Sequence, residues 1–124
     1  MIRVGNTKAK GRGVFAENNI KEGETIERAP VLVLPDEQWQ DINRTLLFNY
    51  CYSWHQETAL ALGFGSLYNH SYTPNAYYVK RYEEAEIDIV ALRDIAAGEE
   101  ILINYNGDPN DKDALWFAVV AEPN

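Results

Sequence analysis

Cysteine, positive charge and long apolar runs are all scarce in this sequence, and each scarcity removes a class of protein. One cysteine, Cys51, excludes an internal disulfide framework and any zinc site built from several thiolates. No apolar run approaches the roughly 18 residues that mark a membrane-spanning helix. The opening Met1 to Lys8 lacks the apolar centre of a secretory leader, so a cytoplasmic location is expected, with nuclear entry or secretion into a host left open. Lys and Arg number 11 against 19 Asp and Glu, a formal net charge of -8. That balance repels nucleic-acid phosphates and disfavours direct DNA or RNA binding. It attracts basic proteins, and it also serves plain solubility. Internal repeats, low-complexity segments and linkers are not evident either.

What remains is a chain of 124 residues, 46% apolar, enough to bury a core in one domain expected to run from 1 to 124. Ile2 to Thr7 reads as a strand, residues 8–13 as a loop, and residues 24–34 as one or two strands stopped by Pro35. Asp36 is placed as the N-cap of a helix reaching Phe48, because Trp39, Ile42, Leu46 and Leu47 recur near helical spacing. Residues 49–58 are aromatic and irregular, suited either to core packing or to a pocket for a flat or cationic ligand. Tyr77 to Arg81 and Ile87 to Leu92 read as paired strands about a charged turn, and Ile101 to Tyr105 as a further strand. Asp113 to Ala121 is a short apolar tail that needs cover. The sum is one mostly β domain.

Residues 65–75, from Gly65 through Tyr68, Asn69, His70 and Ser71 to Pro74 and Asn75, form a polar loop between apolar flanks. Its donors and acceptors must be met by backbone or by a ligand. Turn chemistry accounts for its Asn and Pro equally well. Cys51 and His55, four apart, would share a face if helical, and with His70 could be imagined around a metal. Three scattered ligands carry no spacing signature, and no metal is expected. A Cys–His nucleophile would need an orienting group and an oxyanion hole that the sequence does not show. The G-x-G at Gly11 and Gly13 lacks the third glycine and following helix of a dinucleotide fingerprint.

Three segments occur in a telling order: Gly11-Arg12-Gly13-Val14-Phe15-Ala16, then Asn69-His70-Ser71-Tyr72-Thr73-Pro74-Asn75-Ala76, then Gly98-Glu99-Glu100-Ile101-Leu102-Ile103-Asn104-Tyr105. Together, from about Val4 to Gly107, the chain resembles the SET-domain family of protein-lysine methyltransferases, most of all its short viral and bacterial members.

The resemblance implies a mostly β fold of small curved sheets with a pseudoknot-like crossing, where the segment around Asn69 meets the one ending at Tyr105. It implies a short helical insert at about 36–58, shaping the substrate groove, and a C-terminal tail at about 108–124. S-adenosylmethionine is then the methyl donor on one face, and the target lysine enters from the other through a narrow channel. Carried onto this sequence, the backbone of Gly11, Arg12, Gly13 and Val14 meets the donor's methionine part. Asn69 holds its amino-acid end, and the His70 backbone holds its adenine. Tyr105 is the catalytic tyrosine and also touches the donor. Tyr50, Tyr52, Tyr68 and Phe117 line the lysine channel and Trp116 lies against the donor, although the motif does not say how Tyr50 and Tyr52 divide the two sides.

Two departures from the family pattern matter. The cysteine-rich, zinc-binding segment of many members is missing, and Trp116 and Phe117 are expected to close the site instead. Asn106-Gly107 follows Tyr105 where many relatives carry another Tyr or Asp, which leaves the number of methyl groups open. The implied partner is a basic protein, histone-like, ribosomal or nucleoid, and a nonprotein amine is a further option. The alternative reading is a catalytically inactive SET-fold module that holds basic peptides or a protein partner. A homodimer is also expected, because so small a core leaves apolar residues needing cover.

Overall fold

The computed structural model describes residues 1–115. Among these, nine strands form two sheets: β1 (Ile2–Asn6), β2 (Arg12–Ala16), β3 (Thr25–Leu34), β4 (Cys51–Trp54), β5 (Glu57–Ala61), β6 (Asn69–His70), β7 (Ala76–Arg81), β8 (Glu86–Ala91) and β9 (Glu100–Ile103). One sheet runs β1-β2-β9-β6 and the other β4-β5-β3-β8-β7. The expected mostly β architecture is what forms. Residues 24–34 make one strand rather than two, with an irregular register between Thr25 and Glu27.

Patterning explains the layers. In β9, Ile101 and Ile103 are fully buried while Glu100 and Leu102 point the other way, the period-two signature of a strand. In β8, Ile87, Asp88 and Ile89 are buried in succession, as in a strand covered on both faces. Asp88 tolerates this because Arg28 Nε donates to it at 2.9 Å from β3 and Arg81 Nη1 at 3.3 Å from β7. The buried residues of both sheets, including Val14, Ala29, Ile87 and Ile101, form one hydrophobic cluster.

The expected crossing is built around β9, which pairs antiparallel with β2 and parallel with β6. Two residues of parallel pairing hold little by themselves, and Asn75 completes the junction. Its Nδ2 donates to the Glu100 carbonyl at 2.8 Å, and its Oδ1 accepts from Leu102 N–H at 2.8 Å. Its own N–H donates to the Leu102 carbonyl at 3.2 Å, and Ser71 N–H reaches the Ile103 carbonyl at 2.9 Å. Asn75 is 1% exposed, so these bonds are made where water cannot replace them.

A short repeat escaped the sequence reading. Ile20-Lys21-Glu22-Gly23-Glu24 and Ile95-Ala96-Ala97-Gly98-Glu99 form the same turn, with Gly23 and Gly98 at φ of 85° and 87°. In each, the glutamate N–H bonds back three residues, and its carboxylate accepts the N–H of that same residue (Lys21, Ala96). Ile20 and Ile95 bridge the two turns.

The insert departs from expectation. Instead of one helix from Asp36 to Phe48, there is a 3-10 turn at Asp36–Gln38, a single α turn α1 (Trp39–Ile42) and a second 3-10 turn at Leu46–Tyr50. Pro35, not Asp36, stands at the cap position, with no side-chain capping bond. Thr45 ends the run: its extended backbone breaks the helix, its hydroxyl donates to the Ile42 carbonyl, and the same oxygen accepts from Leu47 N–H. The helical spacing misled because Leu46 and Leu47 are 70% and 43% exposed, and only Ile42 is buried. Residues 49–58 are not irregular either, since β4 and β5 form a hairpin with Cys51 opposite Leu60 and Trp54 opposite Glu57. Cys51 and His55 therefore do not share a helical face. His55 takes the tight turn at φ 53° and stacks on Tyr82, ring centroids 3.7 Å apart.

Replacing Asn75 by Ala strands the Glu100 carbonyl and the Leu102 N–H in the interior and should cost about 3 kcal/mol. Asn110→Ala, on the surface, should cost about 0.5 kcal/mol or less. Urea denaturation of both variants checks this, and similar losses would remove Asn75 as the fastener of the crossing.

Candidate active site

The junction of β6 and β9 leads directly into the site. After β9, Asn104 and Tyr105 leave the sheet, and Tyr105 N–H donates to His70 Nδ1 at 3.0 Å. The Tyr105 hydroxyl donates to the Tyr68 carbonyl at 2.6 Å. One residue thus touches the loop before and after Asn69. Residues 106–113 fold back onto the same region, with Asn106 Nδ2 and the Tyr72 hydroxyl both donating to the Asp113 carbonyl.

Two cavities meet at Tyr105. One, of about 220 Å³, is walled by Tyr50, Tyr52, Tyr68, Tyr78 and Tyr105, with Ser66 and the β4 residues Cys51 and Ser53. The other, of about 180 Å³, is lined by Lys10, Gly11, Arg12, Leu67 and Asn69. Tyr50, Ser66 and Tyr105 belong to both. Tyr50 is therefore the tyrosine that borders both sides, whereas Tyr52 faces the phenol-lined side.

Four of the phenolic protons are committed, that of Tyr105 as above. Tyr52 donates to the Gly65 carbonyl at 2.7 Å, Tyr68 to Glu27 Oε1 at 2.8 Å and Tyr78 to the Tyr105 carbonyl at 3.1 Å. Burial pushes the Tyr105 pKa up to about 12, with help from Tyr50 and Glu100. Burial likewise raises Tyr52, Tyr68 and Tyr78, with Glu27 adding to the effect at Tyr68. At neutral pH all four are uncharged, and a cation stands at the wall, where Lys80 Nζ donates to Ser53 Oγ at 2.9 Å. Glu27 also accepts the Phe64 N–H at 2.9 Å and thereby clamps the loop beneath Tyr68.

The smaller cavity is braced by Asn69, whose Nδ2 donates to the Arg12 carbonyl at 2.9 Å and to Glu100 Oε2 at 2.8 Å. Gly13 leaves room for this bracing, because a Cβ there would displace the Glu100 carboxylate and the Asn69 amide.

Of the residues singled out in the sequence, the structure brings Gly11, Arg12, Asn69, Tyr50, Tyr52, Tyr68 and Tyr105 to the two cavities. Gly13 and Val14 lie behind them in β2, and the Val14 side chain is in the core. His70 is buried beside Tyr105, and its carbonyl accepts from Lys10 Nζ at 3.2 Å. Trp116 and Phe117 lie outside the described residues. Sequence reasoning missed Tyr78, Ser66, Lys10, Glu27 and Glu100. Tyr78 had a signal, because strand alternation puts it on the face opposite Tyr77 and Val79; the others required knowing which strands meet. No group of three or more His, Cys, Asp or Glu side chains suited to a metal occurs among the described residues. None of the described helices is long and apolar enough to cross a membrane.

A family profile described as SET domain matches residues 11–106. A Schizosaccharomyces pombe histone-lysine N-methyltransferase, described as H3 lysine-37 specific, is 37% identical over 118 residues, covering 94% of this chain and 76% of that protein. Among solved structures, a Plasmodium falciparum protein described as a candidate histone methyltransferase has a TM-score of 0.71 at 30% identity, over 87% of this chain and 99% of that one. A chain of Polycomb Repressive Complex 2 from Chaetomium thermophilum, 22% identical, shares the fold with a TM-score of 0.70 over 89% of this chain and 15% of its own length. The profile spans most of the sequence and agrees with the crossing, and the chain belongs to the SET-domain family of protein-lysine methyltransferases.

Proposed function

We propose that this protein transfers methyl groups from S-adenosylmethionine to a lysine of a basic, histone-like protein, with the donor on the Arg12–Asn69 side of Tyr105 and the lysine on the phenol-lined side. The observation that carries this reading is the meeting of two chemically different cavities at one tyrosine. The net charge of -8 suits a basic substrate, and the fission-yeast relative is named for a histone lysine.

The residues present fit the donor. Lys10 and Arg12 supply positive charge for a carboxylate, Asn69 and the exposed backbone at Gly11 supply polar partners, and Leu67 and Tyr50 supply apolar and aromatic surface. The His70 carbonyl already accepts from Lys10 Nζ at 3.2 Å, and its second lone pair is the acceptor proposed for the adenine. Bound S-adenosylmethionine supplies an electrophilic methyl and a sulfonium charge that disfavours an ammonium beside it.

The chain's own contribution is alignment and environment. An amine entering the phenol-lined chamber meets hydroxyl groups whose protons already point at Gly65, Glu27 and the Tyr68 and Tyr105 carbonyls. The oxygens are left as acceptors, which orient amine N–H groups and give the lone pair to the opposite direction. A buried, uncharged lining disfavours ammonium and favours the neutral nucleophile. No carboxylate of the described residues lines the chamber, so the lysine proton leaves to water before attack and not to a dedicated base.

The test is transfer from labelled S-adenosylmethionine to a panel of basic proteins, followed by mapping of the label. Label on lysine is expected, and Tyr105→Phe should lower turnover tenfold or more while donor affinity largely survives. Peptide binding with neither donor binding nor transfer would instead make the protein a binding module, and unchanged turnover in the variant would remove Tyr105 from the chemistry.

Phenol burial also sets an alkaline limit. An unfolded tyrosine loses its proton near pH 10, whereas folded Tyr105 keeps it to about 12. The unfolded chain therefore deprotonates first, so this contribution to stability is full below about pH 10 and is lost as pH rises toward 12. Thermal midpoints should fall across that window, less steeply in Tyr105→Phe than in the wild type. Parallel curves for the two proteins would contradict the assignment.

A further inference from the structure

A third cavity, of about 340 Å³, lies against the tyrosine chamber and has no part in the transfer chemistry. The two share one wall, Cys51, Tyr52 and Ser53 of β4. Beyond it stand the rings of Trp39 and Phe48, centroids 5.6 Å apart, with Asp36, Glu57 and His55. Trp39 is 36% exposed, so its ring is available at a surface and not consumed by packing. No described Lys or Arg lines this cavity.

Carboxylates beside aromatic faces attract an ammonium or guanidinium, by charge pairing and by the ring quadrupole together. At the shared wall the sign reverses, because Lys80 Nζ donates to Ser53 Oγ at 2.9 Å. That ammonium disfavours a second cation at the wall and leaves Asp36 and Glu57 to take the charge. Because Cys51, Tyr52 and Ser53 line both, the two cavities are neighbours, and β4 is the edge strand of its sheet, so one extended peptide passing over that edge can present side chains to each.

We propose that this cavity is a specificity subsite for a Lys or Arg side chain of the substrate, close in sequence to the lysine being methylated. It rests on the lysine-transfer reading for the occupant of the neighbouring chamber. Trp39 and Phe48 hold the aliphatic stem and the flat face of the cation, and Asp36 and Glu57 pair with its charge. The basic character of the substrate is thus read at a defined place on the insert, in addition to the overall field of the protein.

The test uses synthetic peptides with one central lysine in an alanine–glycine background and a single arginine moved through the neighbouring positions on either side. A matching set carries norleucine in place of the lysine. Affinity is measured by calorimetry on both sets, and transfer from labelled S-adenosylmethionine on the first. Arginine at one favoured position should tighten binding about tenfold over glutamine and raise kcat/KM through KM. Asp36→Asn combined with Glu57→Gln should remove most of that preference, and Glu57→Lys should shift it toward glutamate at the same position. Equal affinity for arginine and glutamine at every position, or a preference that survives the double substitution, would overturn the subsite. The norleucine peptides bind without reacting, so an intact arginine preference in the absence of transfer would uphold the subsite and count against the transfer reading alone.

Discussion

The buried amide of Asn75 is the constraint on which the rest of the structure depends. A parallel pair as short as Asn69–Leu102 and His70–Ile103 has little cohesion, and neither partner could adopt a longer register without losing the loop between His70 and Asn75. Asn75 resolves this by acting as a piece of backbone, accepting from Leu102 N–H and donating to the Glu100 carbonyl. A carboxylate could not donate the second bond, and a hydroxyl could not span both partners. With that side chain in place, Ser71 bonds the end of β9 and Tyr105 reaches back to His70 and Tyr68, and two cavities open beside Tyr105.

Fixing the crossing also fixes the direction of the hydrogen bonds around it. The Tyr105 hydroxyl points at the Tyr68 carbonyl, the Tyr68 hydroxyl at Glu27, and Tyr78 at the Tyr105 carbonyl, so each phenol is held by a different part of the chain. Burial keeps these groups protonated, and their protons stay on protein acceptors. For the proposed amine, a chamber assembled this way is preorganised: it offers acceptors and needs no rearrangement of its own donors.

Much of this was legible in the sequence, and the failures have physical causes. β9, with Ile101 and Ile103 alternating against Glu100 and Leu102, announces itself by period and β-branching. Segment 69–75 stood out as a polar loop between apolar flanks, while Gly11, Arg12, Tyr50, Tyr52, Tyr68 and Tyr105 entered the candidate site only through the family resemblance. The insert was misread because Trp39, Ile42, Leu46 and Leu47 mimic a helical face, while the deciding event is one Thr45 hydroxyl that competes with helix continuation. Glu27 and Glu100 were invisible for a different reason. Each acts across the fold, 41 residues from Tyr68 and 31 from Asn69, and no local pattern encodes such a contact. The twin turns at Ile20 and Ile95 were overlooked because a five-residue match is shorter than any repeat one would search for.

The division of labour between sheets and insert follows from burial. The cavity at Arg12 and Asn69 takes its walls from β2, β6 and the segment after β9, elements tied together by Asn69, Asn75 and Gly13 at close range. Substitution there disturbs several contacts at once. The insert is joined by short turns, buries only Ile42 of its residues 36–50, and reaches the tyrosine chamber through Tyr50 and β4. Its outward side chains Asp36 and Trp39 answer to few neighbours, so their identity can change at small cost to stability. In the proposed reading, chemistry and substrate choice fall to different parts of the chain. Tyr68, Tyr78 and Tyr105, proposed to meet the amine, stand on or beside the sheets, whereas Tyr50 and the proposed peptide-reading Asp36, Trp39 and Phe48 belong to the insert.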